Sequence, residues 1–252
     1  MSFDLQDTFP TLEHAPITEA IIDIQAQLGS DVSLPQLARF QDGIEERFKD
    51  RKERMSLQTR IEFQKDTAPK VVVPDFSPDG YLFSALEEHL IAQARLDGFT
   101  LSRLKPYHEG ATFIKQAQEL WERYVGIARP IKVRRLAVRN VNRIEVDLGS
   151  DLQRYVLTGP EISRALPQHM HGFFMRLVIP DPSGAAAIIT ETFGELDAAA
   201  GTIPLIFDID AFREVELEPR SPDIWEIIGS LRALKNRLFF RSITTEALEA
   251  FR

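Results

Sequence analysis

The chain has 252 residues, 44% hydrophobic and 27% charged, with 13 glycines, 15 prolines and no cysteine. That composition is typical of a folded globular protein, and the lack of cysteine excludes disulfide scaffolds, zinc ribbons, iron–sulfur ligation and thiol nucleophiles. Thirty Lys and Arg against 38 Asp and Glu give a formal charge of −8, which disfavours general attraction to nucleic acid or anionic lipid without closing it off.

Met1 to Pro10 is acidic and lacks a basic and an apolar leader region, and no stretch reaches the ~20 apolar residues of a membrane span. A cytoplasmic address without membrane contact is expected. Ile17 to Leu28 reads as a strand closed by Gly29-Ser30-Asp31. Ser33 with Gln36 forms a capping box, and Leu37, Phe40, Ile44 and Phe48 recur at helical spacing. Met55, Leu57, Thr59, Ile61 and Phe63 then alternate as on a half-buried strand.

Lys65 to Asp79 is a proline-bearing connection, followed by strand-like runs at Gly80 to Ala85, Glu88 to Leu96 and Gly98 to Leu104. Asp97-Gly98 is a type I′ hairpin signal. Glu109 to Ala128 has helical period, Ile131 to Asp147 reads as one long strand, and Gly149 to Pro167 as a polar bridge. His171 to Ile179, Ala185 to Phe193 and Ile203 to Phe212 form a second meander, and a helix runs from Pro222 to about Arg241. Its acidic residues lie near the amino end and its basic ones near the carboxyl end, as the helix dipole favours. Thr244 opens a short terminal helix.

These elements predict an α+β fold of mostly antiparallel sheet packed by long helices, with a meander-plus-helix unit occurring twice. Residues 1–150 and 151–252 are the expected halves, tightly packed or merged into one domain.

The string Arg134 to Ile144 is the most unusual. On a strand, Arg135, Arg139 and Arg143 share one face, while Asn140 and Asn142 interrupt an apolar row on the other. Buried amides need partners, so these two anchor backbone, make a bulge or line a polar cavity. The arginines either grip phosphate or carboxylate or pair with acids on the next strand. Arg129, Lys132, Arg134 and Arg135 leave a small opening for nucleic acid.

Lys105 to Glu109 lies at a strand-to-helix junction, where backbone N–H groups can meet an anion; Tyr107 and His108 could add a donor or a proton shuttle. His169 and His171 have the spacing of half a metal site without an evident third ligand, so no metal or cofactor is expected. Glu19 with Asp23, and Asp208 with Asp210, are carboxylate pairs suited to acid–base work or to a wet sheet face. No GxSxG, P-loop, GxGxxG or HExxH occurs.

Pro16-Ile17-Thr18-Glu19-Ala20, Ser102 to Tyr107, Leu120 to Tyr124, Arg139 to Ile144, and Leu231-Arg232 through Lys235-Asn236, Phe239-Phe240 and Ile243-Thr244 span nearly the whole chain. In these strings the chain resembles a sporadically distributed family of uncharacterised bacterial proteins of about this length. That pattern often has a tryptophan after Pro-Tyr, where this chain has His108, Glu109 and Gly110. The resemblance implies no established reaction; patchy distribution associates such families with defence or toxin–antitoxin contexts.

The expected function is non-enzymatic binding of a ligand or protein partner, with Arg139, Asn140, Asn142, Arg143, Glu19, Arg103, Tyr107, Arg232, Lys235 and Asn236 as contact residues. The alternative is an enzyme acting on an anionic small molecule, with Arg139 and Arg143 holding charge and Glu19, Tyr107 or His108 moving protons. A homo-oligomer is left open.

Overall fold

The computed structural model describes residues 9–58, 61–62, 70–71, 75–106, 110–163, 165–167 and 170–252. In chain order the elements are β1 (Ile17–Gln27), α1 (Leu34–Ala38), β2 (Asp50–Gln58), β3 (Ile61–Glu62), β4 (Lys70–Val71), β5 (Asp75–Ala85), β6 (Leu90–Arg95) and β7 (Gly98–Leu104). They continue with α2 (Gly110–Ala128), β8 (Lys132–Asp147), β9 (Phe174–Pro180), β10 (Ala186–Phe193), β11 (Thr202–Leu217), α3 (Asp223–Ser242) and α4 (Thr245–Glu249). Among the described residues no helix is long and apolar enough to cross a membrane.

The expectation of an α+β body packed by long helices is corrected. One antiparallel sheet of nine strands, ordered β2-β5-β6-β7-β1-β8-β11-β10-β9, organises the molecule. The two meanders lie in that one sheet, β7 beside β1 and β11 beside β8, and the halves join where β1 and β8 pair at its centre. The strands also run longer than expected: β11 extends to Leu217, opposite Val133. Conversely, the helix expected from Ser33 to Phe48 shrinks to α1 and a 3₁₀ turn, because Gly43 takes φ +77 and ends the helical path. Leu37, Phe40 and Phe48 are buried all the same.

Alternation gives the sheet two unlike faces. Ala20, Ile22 and Ile24 of β1, Leu136 and Val138 of β8, and Phe99 and Leu101 of β7 face the helices and form the main core with Phe113, Trp121 and Tyr124 of α2 and Ile224, Ile228 and Leu231 of α3. The large aromatics bury their polar atoms with partners: Trp121 Nε1 donates to the Pro219 carbonyl at 2.8 Å and Tyr124 Oη to the Arg95 carbonyl at 2.8 Å. A second core, with Phe207, Phe239 and Ile243, lies beneath the carboxyl half of α3.

Two positions depart from ordinary strand chemistry. The β6–β7 hairpin turns on Leu96-Asp97, not on Asp97-Gly98, since Arg95 pairs with Gly98. Gly98 is needed for another reason: at φ +146, a Cβ would stand 2.1 Å from the Ile24 carbonyl oxygen of β1. Glu191 on β10 faces the second core between Phe207 and Met175 on the flanking strands. It is 0% exposed, neither carboxylate oxygen has a hydrogen-bond partner, and burial pushes its pKa up to about 7.

Candidate functional site: a cationic cavity beneath the third helix

On β8 the even-numbered residues from Leu136 to Val146 turn toward the helices and the odd-numbered ones from Arg135 turn away. Asn140 and Asn142 therefore enter the helix side, where they are buried. They lie beneath α3, which crosses β8 and β11. Arg232, Lys235 and Asn236 project from α3 at the one-turn spacing that gathers side chains on one face.

Together these residues line a cavity of about 540 Å³, within the range of small-molecule sites. Residues from Phe9 to Ile17 form another wall, and Gly110 and Ala111, at the start of α2, a third. Phe239 and Phe240, one turn beyond Lys235 and Asn236, supply an apolar side with Ile209. The lead segment is fixed at three points. Phe9 stacks on Phe240 at 4.6 Å, the His14 amide donates to the Phe251 carbonyl at 3.0 Å, and the Arg143 amide donates to the Pro16 carbonyl at 2.9 Å.

The polar wall is electropositive. No Asp or Glu lies among the described lining residues, and Arg232 has neither a hydrogen bond nor an ion pair among the described residues. Its guanidinium rests against Gly110, where a Cβ would fall 2.5 Å from Nη2. Lys235 is only 6% exposed, and burial, reinforced by the Arg232 charge, pushes its pKa down to about 7. Oriented with its oxygen toward Lys235, the Asn140 amide accepts from Nζ at 2.7 Å and donates to the Arg139 carbonyl at 2.9 Å. Asn142 Nδ2 donates to the Phe207 carbonyl at 2.8 Å.

The opposite sheet face has its charges matched. Arg139 makes a two-point pair with Asp208, Nε to Oδ1 at 2.8 Å and Nη2 to Oδ2 at 2.6 Å. Arg135 donates to Asp210 at 2.9 Å and lies over the Phe212 ring; Arg143 pairs with Glu145 at 2.7 Å. Asp23 accepts from Arg95 and Thr100, both at 2.7 Å. Lys132 and Arg134 share Glu216. The arginine ladder thus meets acids on its own and neighbouring strands, and the basic stretch considered for nucleic acid is interleaved with carboxylates.

Of the ten contact residues expected from sequence, the cavity gathers Asn140, Asn142, Arg232, Lys235 and Asn236. Arg139, Arg143 and Glu19 lie on the other face of the sheet, away from Asn140 and Asn142. Arg103 is on the helix side but turns to α2, bonding Gln116 and lying over the Phe113 ring at 5.9 Å. Tyr107, His108, Glu109 and His169 fall outside the described residues. Among the described residues no group of three or more His, Asp and Glu could hold a metal ion.

Sequence reading overlooked the aromatic wall of Phe9, Phe239 and Phe240 and the close approach at Gly110. For the helical pair the signal was present, since Phe239 and Phe240 follow Lys235 and Asn236 by four residues. No protein-family model matches the chain, and no curated protein matches it in sequence.

Proposed function

We propose that the protein binds an anionic small molecule in the cavity beneath α3 and releases it unchanged. The observation that carries this reading is the pairing of Arg232 and Lys235 in one enclosure whose described lining holds no carboxylate, within a chain of net charge −8. Leaving two cations uncompensated in a partly dehydrated space is costly, and an incoming anion removes the cost. Arg232 offers a planar fork for carboxylate or phosphate, Lys235 a point charge, and the amides of Asn140, Asn142 and Asn236 orienting hydrogen bonds. Phe239, Phe240 and Ile209 accommodate an apolar portion of the ligand.

Calorimetric titration with oxalate, phosphate and phenylacetate tests the reading. At least one anion should bind, and Arg232→Met should weaken it by about tenfold to a hundredfold, the range for a lost charged hydrogen bond. Absence of binding by every anion tested would count against it. A cytoplasmic setting in a defence or stress system belongs to the same proposal and rests on composition and the family resemblance.

A further inference from the structure

Lys235 differs from an ordinary anion-binding lysine in its surroundings. It is buried, its charged neighbour on α3 is the like-charged Arg232, and among the described residues the other elements lining the cavity around it present uncharged groups: Asn140 and Asn142 from β8, Ile209 from β11 and Gly110 from α2. Its partner is an amide oxygen, which needs only one N–H of the amine. An amine in such a place keeps a lone pair available and faces open cavity space, the condition for nucleophilic attack on a carbonyl.

We propose that the cavity captures an α-oxo acid as a reversible imine on Lys235, with Arg232 holding the carboxylate. The inference rests on the anion-binding reading and specifies its ligand class. The α-carboxylate and the carbonyl carbon are adjacent atoms, and Arg232 and Lys235 are adjacent on one helical face, so one small molecule can meet both. The apolar substituent of the oxo acid is then directed at Phe239 and Phe240.

In the step itself, the Nζ lone pair forms a bond to the carbonyl carbon as the C=O pair moves to oxygen. The nitrogen loses a proton and the oxygen leaves as water after protonation. The sum is amine, carbonyl and one proton giving iminium and water, with no change of oxidation state. Water reverses it. The pKa of about 7 supports the step, because a large share of Lys235 is neutral at neutral pH.

The test treats the full chain at neutral pH with pyruvate or phenylpyruvate and cyanoborohydride, followed by peptide mass mapping. The expected result is an adduct on Lys235 forming on the order of tenfold or more faster than on any other lysine, as its lowered pKa requires. Arg232→Met should slow it about tenfold. Lys235→Arg should abolish it, and the unsubstituted protein should bind oxalate, which lacks a ketone, without forming an adduct.

Oxalate binding with no adduct, or with adducts spread over the other lysines, overturns the imine and leaves anion binding standing. Failure of oxalate, pyruvate and phenylpyruvate alike overturns the imine, and failure of phosphate and phenylacetate as well overturns both. The map of the unsubstituted protein decides the matter even where a variant does not fold.

Discussion

Lys235 and Arg232 stand one turn apart on α3 and face the same cavity, so each cation raises the cost of the other until an anion arrives. Binding of a non-carbonyl anion such as oxalate should therefore draw a proton onto Lys235. Above about pH 7 the affinity should fall by up to about tenfold per pH unit, and calorimetry in buffers of differing ionisation enthalpy should register the proton uptake. Arg232→Met should weaken binding at every pH and move the break to higher pH, since the like charge is gone. An affinity constant across pH 6 to 9 would show that binding does not change the protonation of Lys235 and would overturn the proton uptake.

Gly110→Ala tests the seat of Arg232. Gly110 is the first residue of α2, where the ~1 kcal/mol interior preference of helices for alanine over glycine is largely absent, and an alanine Cβ would meet the guanidinium at 2.5 Å. The flexible arginine should swing aside. Thermal stability should hold while oxalate affinity falls several-fold. Unchanged affinity would place the anion away from Arg232.

Glu191 and Lys235 should give opposite pH slopes of stability. For Glu191, the folded pKa of about 7 exceeds the ordinary 4.5, so the folded state holds the proton longer and stability falls as pH rises between those values. Lys235 is depressed from 10.5 to about 7, so its contribution rises with pH between 7 and 10.5. Glu191→Gln should therefore stabilise the protein by about 2 kcal/mol near pH 8 and little near pH 5. Denaturant midpoints at the two pH values check this; an equal effect at both would mean that Glu191 does not titrate in this window.

Phe9→Ala removes the stacked lid contact on Phe240. Loss of such a pair costs about 1 kcal/mol beyond the buried area, and residues 10–16 should exchange amide hydrogens faster. Ligand dissociation should accelerate with little change in association. If exchange in that segment is unaltered, the His14 and Pro16 bonds alone hold the wall.

Arg139→Met serves as the contrasting case. Its guanidinium pairs with Asp208 on the face away from the cavity, so anion affinity should stay within about twofold of the parent. A large loss would show that charge on the open face reaches the ligand through the sheet.

Much of this was legible where signals were local. The long helical periods of α2 and α3 and the alternation of β8 located those elements, and parity alone placed Asn140 and Asn142 opposite the arginines. Within the first helix, Asp42-Gly43 carries a turn signal that the helical spacing of Leu37, Phe40, Ile44 and Phe48 masks. What could not be read was non-local. The Arg139–Asp208 pair depends on the register of β8 against β11, and the Phe9–Phe240 stack joins the two ends of the chain. The balance between sheet and helix turned on strand lengths that are set by pairing partners rather than by propensity.

The alternation along β8 makes that strand a reading frame. Removing one residue between Leu136 and Asn140 and restoring the pairing one step away would exchange the two sides. Asn140 and Asn142 would go to solvent, and Arg139 and Arg143 would lose their acids and enter the enclosure beside Arg232 and Lys235. Four cations would then crowd a space suited to two. Length variation can therefore collect in the polar bridge after Asp147, while β8 itself is confined to substitutions that keep its count.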